Sequence, residues 1–444
     1  MHEARAAPGD TSRAHAALAN STRSRRDATY IRRVKSLDIA VVGTGTAGSA
    51  SALFLARAGH RVTVYERVLD PQPVGAGIML QPTGMAVLAA LGLLREVVDR
   101  GEPLTRLVAE TSSGRRVLDL AYADLASDLY GVGLHRGVLF GSLFKAVQSE
   151  PRVTLKLGLD IEDLSADGAG YWLLEKQTRR RFGPHDLVIV CNGARSSLRD
   201  DTSHHKTVER YPWGALWAVV PDVEHRYRQQ LFQVVRGTRV LIGMLPSGLG
   251  PTGTTPHVSL FYSLRADRLE EHRASDFSKW KASVLSDAPA AAAVLEHLRS
   301  HDDLLFSEYH DVVMWPWNVG RVVYLGDSAH AMSPQLGQGA NLALVDAAML
   351  AQSFEGAESV DDALFRYSRT RRGHLAWYQF VTRWLTPFFQ SDLLPLGVVR
   401  DLLFGIACKV PLFRSEMVAM MAGISLGPFR RMALSSRPPR LPGA

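Results

Sequence analysis

Residues 37–67 read LDIAVVGTGTAGSASALFLARAGHRVTVYER, and the spacing of apolar positions changes twice within them. The unbroken Val/Ile run predicts a strand buried on both faces, as in a parallel sheet. The Ala-rich stretch after the glycines predicts a helix that Gly59 ends, and RVTVYE predicts a second strand closing at Glu66. A second, late pattern repeats the theme: YLGDSAHAMSPQLGQGANLALVDA, residues 324–347, reads as strand, glycine-bearing loop with Pro334, then helix.

Between these stretches the texture varies. A glycine-containing loop from Pro73 leads to an amphipathic helix from about Met85, and residues 134–149 predict a helix with Arg136 at its start. VTLKLG and YWLLEK predict short strands; DLVIVCNGARSSLR predicts a buried strand ending in another glycine turn. From about 206 to 265 the pattern alternates (GALWAVV, LFQVV, RVLIGMLP, HVSLFYSL), which suits an antiparallel sheet. A helical stretch at about 274–299 precedes the parallel-type strand RVVYLGD, and helices follow Ala347 to about 428. No fixed-period repeat is present, and no apolar window reaches the length of a spanning helix. The nearest, LLFGIACKVPLF, is broken by Lys409 and Pro411. The aromatic run at 377–389 reads as core, as a pocket wall or as a contact with a membrane surface.

Charge changes this picture only at the ends. The chain of 444 residues carries +7, but residues 1–35 hold +5 and residues 430–444 hold +4, leaving a body at −2. A nucleic-acid-binding core is therefore not expected. The Arg/Ala/Ser-rich first 35 residues read as a disordered extension, with an Arg-rich targeting peptide as the alternative. Two cysteines, Cys191 and Cys408, suit a reducing, cytoplasmic setting and cannot build a disulfide framework or a zinc cluster.

Candidate chemistry lies in the glycine loops. Gly43, Gly45 and Gly48, with Ala47 between the last two, fill G-x-G-x-x-G between a strand and a helix. The first glycine permits the tight turn, the second the approach of a pyrophosphate, the third close helix–strand packing. The helix start offers free N–H groups to phosphate. Glu66, 23 residues after Gly43, sits where an acid hydrogen-bonds a ribose hydroxyl. Order and spacing together predict a dinucleotide-binding βαβ unit.

With both glycine loops and the 186–199 stretch in place, the chain resembles the group A flavoprotein aromatic hydroxylases, the para-hydroxybenzoate hydroxylase and ubiquinone-hydroxylase superfamily. The resemblance spans about 310 residues, from Leu37 to Ala347. It implies an α/β fold, an α+β composite. A Rossmann-like FAD-binding domain would occupy 36–205 and 301–360, interleaved with a substrate-side antiparallel sheet at 206–300. C-terminal helices would follow at 361–430, flanked by basic tails at 1–35 and 431–444. It implies that Glu66 and Arg67 bind the adenosine ribose, that Asp327 holds the ribityl chain and that Pro334 lies against the isoalloxazine ring. Gly337, Gln338, Gly339, Ala340 and Asn341 would present N–H groups to the pyrimidine end of the flavin, where a helix start stabilises the reduced anion. Arg136 matches the family's FAD-contacting Arg, Met79 and Gln81 fall in the loop over the flavin edge, and Leu159 gives a backbone contact. His330 is expected to be structural, and no metal is expected.

One fingerprint departs from the family. Where Asp-Gly usually ends the strand, this chain has Asn192-Gly193, which keeps the turn but loses the charge. By resemblance NADH or NADPH reduces FAD, O2 adds to give a C4a-hydroperoxide, and an oxygen atom passes to a phenol-like or apolar polycyclic ring. Tyr211, Trp213, Trp217 and Phe261 are candidate pocket walls. Three rivals share the fold: a flavin halogenase, whose Trp-x-Trp-x-Ile-Pro signature MWPWNVG matches only superficially; an FAD-dependent reductase or dehydrogenase; and a non-catalytic binding module.

Overall fold

The computed structural model describes residues 34–73, 75–199, 205–436 and 438–439. The basic tail expected at 1–35 lies almost wholly outside the described residues, as does part of that at 431–444.

A six-stranded sheet forms the first layer, in the order Asn318–Val319, Val322–Tyr324, Leu187–Val190, Asp38–Val42, Arg61–Glu66, Val153–Leu157. All neighbours run parallel except the outermost hairpin. Asp38–Val42 (β1) is central, and Ile39, Ala40 and Val41 are fully buried, as helices on both faces require. Helix Thr46–Arg57 (α1) returns the chain to Arg61–Glu66 (β2) and packs on helices Arg136–Ser149 and Gly339–Ser353. This topology brings distant loops together. Gly43 follows β1, Gly193 follows Leu187–Val190 and Gly326 follows Val322–Tyr324, so three glycine turns share the carboxyl edge of one parallel sheet. Open parallel sheets bind their ligands in that crevice.

A nine-stranded sheet forms the second layer. Its centre is the run expected at 206–265: His205–Pro221, Pro256–Arg265, Val240–Leu249 and Gln229–Arg236, all antiparallel neighbours. Strands at Leu305–Trp315, Glu102–Thr111, Arg116–Ala121, Gly131–His135 and Gly77–Leu80 enlarge it. Helices Phe277–Asp287 and Ala292–Glu296 cover one face around Ile242, Met244, Leu260 and Trp280. The helix expected from about Met85 begins at Pro82 instead, and every residue from Pro82 to Leu88 is buried. It is not amphipathic because it is enclosed rather than laid on a surface.

The C-terminal third folds into helices Val360–Phe389, Leu394–Ala407 and Pro411–Met421 and a short hairpin at Ser425–Gly427 and Arg430–Arg431. Among the described residues no helix is long and apolar enough to cross a membrane.

Candidate active site at the carboxyl edge of the parallel sheet

The first glycine loop is shaped by two contacts. Gly43 has φ +101°, and a Cβ there would meet the Cys191 carbonyl oxygen at 2.7 Å. A Cβ on Gly48 would lie 2.0 Å from the Gly43 carbonyl oxygen, so α1 can approach β1 only without a side chain. Gly45 is different: its φ is −62°, and the nearest atom to an added Cβ is the Cys191 oxygen at 4.0 Å. Neither conformation nor packing demands glycine there, which leaves the close approach of a ligand. The ladder of α1 opens with Ser49 N–H donating to the Gly45 carbonyl at 2.9 Å. The amides of Thr46, Ala47 and Gly48 thus stay outside it, and no acid or capping side chain neutralises the helix start.

Glu66 closes this loop. Its Oε2 accepts from the Thr44 amide at 2.9 Å and the Thr44 hydroxyl at 2.8 Å, and its Oε1 accepts from the Val68 amide at 2.9 Å. One lone pair of Oε1 remains for a ligand hydroxyl. Arg67 is exposed beside it. The Leu159 amide donates to the Glu66 carbonyl at 2.8 Å, so Leu159 can offer a ligand only its carbonyl. Arg136 starts its helix after His135, whose Nδ1 accepts from the Gly137 amide at 3.1 Å. The Arg136 side chain lies over Gly75, exposed and without an ion pair among the described residues.

The second loop touches the first. A Cβ on Gly326, φ +60°, would lie 3.1 Å from the Ala47 Cβ. Asp327 follows, exposed and without a hydrogen bond or ion pair among the described residues. Pro334, also exposed, begins a single turn closed by the Gly337 amide donating to its carbonyl at 2.9 Å. Gly337 has φ +62° and faces Met79. Gly339 repeats the case of Gly45, since the nearest atom to an added Cβ is Asp327 Oδ1 at 4.0 Å. Helix Gly339–Ser353 opens with Leu342 N–H donating to the Gln338 carbonyl at 2.9 Å, leaving the amides of Gly339, Ala340 and Asn341 outside its ladder.

Side chains bind the loops to each other. Asn341 Oδ1 accepts from the Gln81 amide at 2.8 Å, and its Nδ2 donates to the Met79 and Gly337 carbonyls at 3.0 and 3.1 Å. Tyr122 donates its hydroxyl to Gln81 Oε1 at 2.5 Å. Arg199, almost fully buried, donates to the Ser328 carbonyl at 2.8 Å and to the Ala194 carbonyl, joining the Asn192-Gly193 turn to the second loop.

Behind the second loop lies a buried ionic chain of which sequence reasoning singled out only His330. His330 Nε2 is 2.5 Å from Asp346 Oδ2, which also accepts from the Gly326 amide at 3.0 Å. Arg371 Nε donates to Asp346 Oδ1 at 2.8 Å, and its Nη1 lies 2.5 Å from His374 Nδ1. His374 Nε2 faces the Gly423 carbonyl at 3.2 Å, so it carries the proton there and Nδ1 accepts from Arg371. Burial alone would raise the Asp346 carboxyl, but His330, Arg371 and the Gly326 amide outweigh it and bring it down to about 2. Burial and the Arg371 charge bring His374 to about 3. The one available signal was an acid in the apolar run GANLALVDAAML, which a surface position would explain equally well.

In the second sheet, Trp217 and Phe261 pack with ring centroids 5.3 Å apart, and Trp217 Nε1 donates to the Tyr309 hydroxyl at 3.3 Å. Phe261 also packs against the small apolar cluster of Leu104, Leu231 and Leu245, which Met79 joins. Trp213 is buried, and Tyr211 lines a separate surface cleft with Arg210 and Arg265.

The donor set fits an extended dinucleotide with a nucleoside at one end, a diphosphate in the middle and a heteroaromatic ring at the other end. Two helix starts lack caps, two glycines face open space, and Gln81 Nε2, Asn192 Oδ1, Ser333 Oγ and Gln338 Oε1 are buried without partners among the described residues. Residues 36–377 match the family described as the FAD binding domain. The aurachin C monooxygenase/isomerase of Stigmatella aurantiaca is 26% identical over 347 residues, covering 76% of this chain and 85% of its own length. The kynurenine 3-monooxygenase of Salinispora tropica is 28% identical over 366 residues, covering 76% of each chain. The structure of Pseudomonas aeruginosa PqsL in complex with 2-aminobenzoylacetate shares the fold, with a TM-score of 0.70 at 22% identity over 82% of this chain and 99% of that one. The chain belongs to the FAD binding domain family, as an FAD-dependent oxidoreductase of its aromatic hydroxylase group.

Proposed function

We propose that this chain is an FAD-dependent monooxygenase that uses NADH or NADPH and O2 to hydroxylate an electron-rich, largely apolar aromatic ring. The observation that carries the reading is the meeting of two glycine loops, each with one glycine that only a ligand would require, at Gly45 and Gly339. The amides after Gly45, with Ala47, Gly48 and Arg136, would hold the diphosphate, while Glu66, Arg67 and Leu159 take the adenosine end. Asp327 would hold the ribityl chain. The amides of Gly337 to Asn341 would face the pyrimidine end, Met79 and Gln81 the ring edge, and Pro334 the ring itself. When bound, FAD supplies hydride acceptance from NAD(P)H and activation of O2.

The chain's own part is to position, to shield from water and to stabilise charge. An uncapped helix start at Gly339 favours negative charge beside it. The apolar patch of Met79, Leu104, Leu231, Leu245 and Phe261, extended by Trp217, supplies a wall without a charged group, suited to an aromatic ring. In this reading residues 36–205 and 301–360 form the FAD-binding domain, 206–300 the core of the substrate-side sheet and 361–430 a helical cover. The substrate names of the relatives favour a ring bearing an amino, hydroxyl or ring-nitrogen donor.

The test is to purify the protein, record its absorption spectrum, and follow NADH and NADPH oxidation in air with phenols, kynurenine, 2-aminobenzoylacetate and 4-quinolones. The expected result is a yellow protein whose oxidation of one nucleotide accelerates with one ring, giving a product heavier by one oxygen atom taken from 18O2. A colourless protein that cannot be loaded with FAD overturns the reading. A yellow protein that NAD(P)H cannot bleach with any ring present would instead point to the neutral Asn192, whose buried Oδ1 lacks a partner among the described residues, and to a non-catalytic binding module.

A further inference from the structure

Helix Leu394–Ala407 presents its faces in reverse. Its buried residues are Gly397 and Arg400, while Leu394, Val398, Val399, Leu402, Leu403 and Ile406 are exposed. A surface helix ordinarily buries its aliphatic stripe; this one is anchored through its polar one. A Cβ on Gly397 would lie 3.0 Å from the backbone of Gly237, and Arg400 donates to the carbonyls of Gly237 and Phe388 at 2.9 and 2.8 Å. The exposed apolar surface continues through Val410, Leu412 and Phe413. Trp384, itself exposed, joins it through the ring contacts of Phe388 with Trp384 and with Phe404.

The charge left unpaired around this face is basic, since Asp392, just before the helix, is held by Arg239 at 2.9 Å and by Arg265. Asp401, the only acid of the helix, is held by Arg400 at 2.7 Å. Lys409 is exposed at the helix end, without an ion pair among the described residues. One turn beyond Phe413, Glu416 is held by Arg431 at 2.7 Å, and Phe429 and Arg430 are exposed beside that pair. In sequence, Arg437 and Arg440 follow with no acid.

A second copy docked about a two-fold axis would set this basic rim against itself, and like charges facing each other disfavour that contact. We propose that the face formed by Leu394–Ala407 and residues 410–413 docks on the surface of an anionic lipid bilayer, aliphatic residues in the acyl boundary and basic rim on the headgroups. An apolar face and a basic rim supply the two signals that stable interfacial binding needs. Behind the helix, Phe404, Phe389, Val235 and Leu241 continue the apolar contact to Phe261, so the docked helix would lie between the lipid and the second sheet.

Flotation of the full chain with vesicles tests this. Phosphatidylcholine vesicles containing phosphatidylglycerol should carry the protein, and salt should weaken the binding. Lys409→Glu should lower the partition coefficient about fivefold or more. The double variant Val398→Asp with Leu402→Asp should lower it about a hundredfold, with melting temperature and bound-flavin spectrum unchanged. Failure to float at any composition, equal binding to phosphatidylcholine alone, or unaltered flotation of the double variant overturns the proposal. So does a concentration-dependent dimer that the double variant dissolves, which would assign the face to a second copy.

Discussion

At Gly48 an added methyl would lie 2.0 Å from the Gly43 carbonyl oxygen, whereas at Gly45 the nearest atom would be 4.0 Å away. The two glycines of one loop therefore answer to different partners, and substitution separates them. Gly48→Ala forces α1 off β1 and should cost about 1–3 kcal/mol even in the cofactor-free protein. Gly45→Ala should leave the cofactor-free melting curve within about 1 kcal/mol of the parent, yet raise the Kd for FAD at least about tenfold. The late loop repeats the contrast. Gly337 needs its positive φ, so Ala there costs about 1–2 kcal/mol of backbone strain, while Gly339→Ala should act only on the flavin. Thermal melts of the stripped protein and flavin-fluorescence titrations read the two effects apart. Equal loss of stability for all four would refute the assignment of Gly45 and Gly339 to a ligand.

Helices Gly339–Ser353 and Val360–Phe389 are joined through Asp346, Arg371 and His374, and this pairing fixes the Gly326 turn from behind. Its pH dependence has a definite sign. His374 titrates near 3 when folded against 6.5 when unfolded, so the unfolded chain binds more protons between those values. The contribution of neutral His374 is complete above pH 6.5 and is lost as pH falls towards 3. Asp346, about 2 folded against 3.8 unfolded, adds stability above 3.8 that is lost as pH falls through 2. Melting temperature should therefore fall from pH 7 to pH 4, and His374→Gln should flatten that fall in part. His272, brought to about 4 by burial and His301, keeps the remainder. Asp346→Asn leaves the buried Arg371 charge without its carboxylate, and should cost about 3–5 kcal/mol above pH 4. The difference between these elements and the legible ones is range. The βαβ unit, the strand before Asp327 and the four alternating strands at 206–265 are written in local periodicity. Strand Glu102–Thr111 is not, since its partner Gln229–Arg236 lies more than a hundred residues away and its own pattern is interrupted by Thr105 and Arg106. Asp346 reads as an ordinary helix-surface acid until Arg371, 25 residues on, is placed against it.

Across the whole molecule, the last helices fold back on the loop that begins the Gly339 helix. Gln338 Nε2 donates to the Met420 and Met421 carbonyls at 3.2 and 2.8 Å, the Tyr378 hydroxyl donates to Met420 at 3.0 Å, and His374 donates to Gly423. Gly423 sits at the meeting point, with φ +85° and space for no side chain: a Cβ would lie 2.2 Å from Thr83 Oγ1 and 3.2 Å from Gln338 Oε1. Thr83 belongs to the helix that follows Gln81, so one glycine far outside both motifs presses on that helix and on the loop that would flank the flavin ring. Gly423→Ala must displace one or both. The expected outcome is a folded protein whose Kd for FAD rises about tenfold or more, with slower reduction by NAD(P)H. Gly373→Ala is the matched control. It lies inside helix Val360–Phe389, exposed and with no atom within 4 Å of an added Cβ, and should raise stability by up to about 1 kcal/mol without touching the flavin. A Gly423→Ala protein that binds FAD as tightly as the Gly373→Ala protein would mean that the C-terminal helices merely cover the cofactor site. A selective loss would mean that they hold its loop in shape.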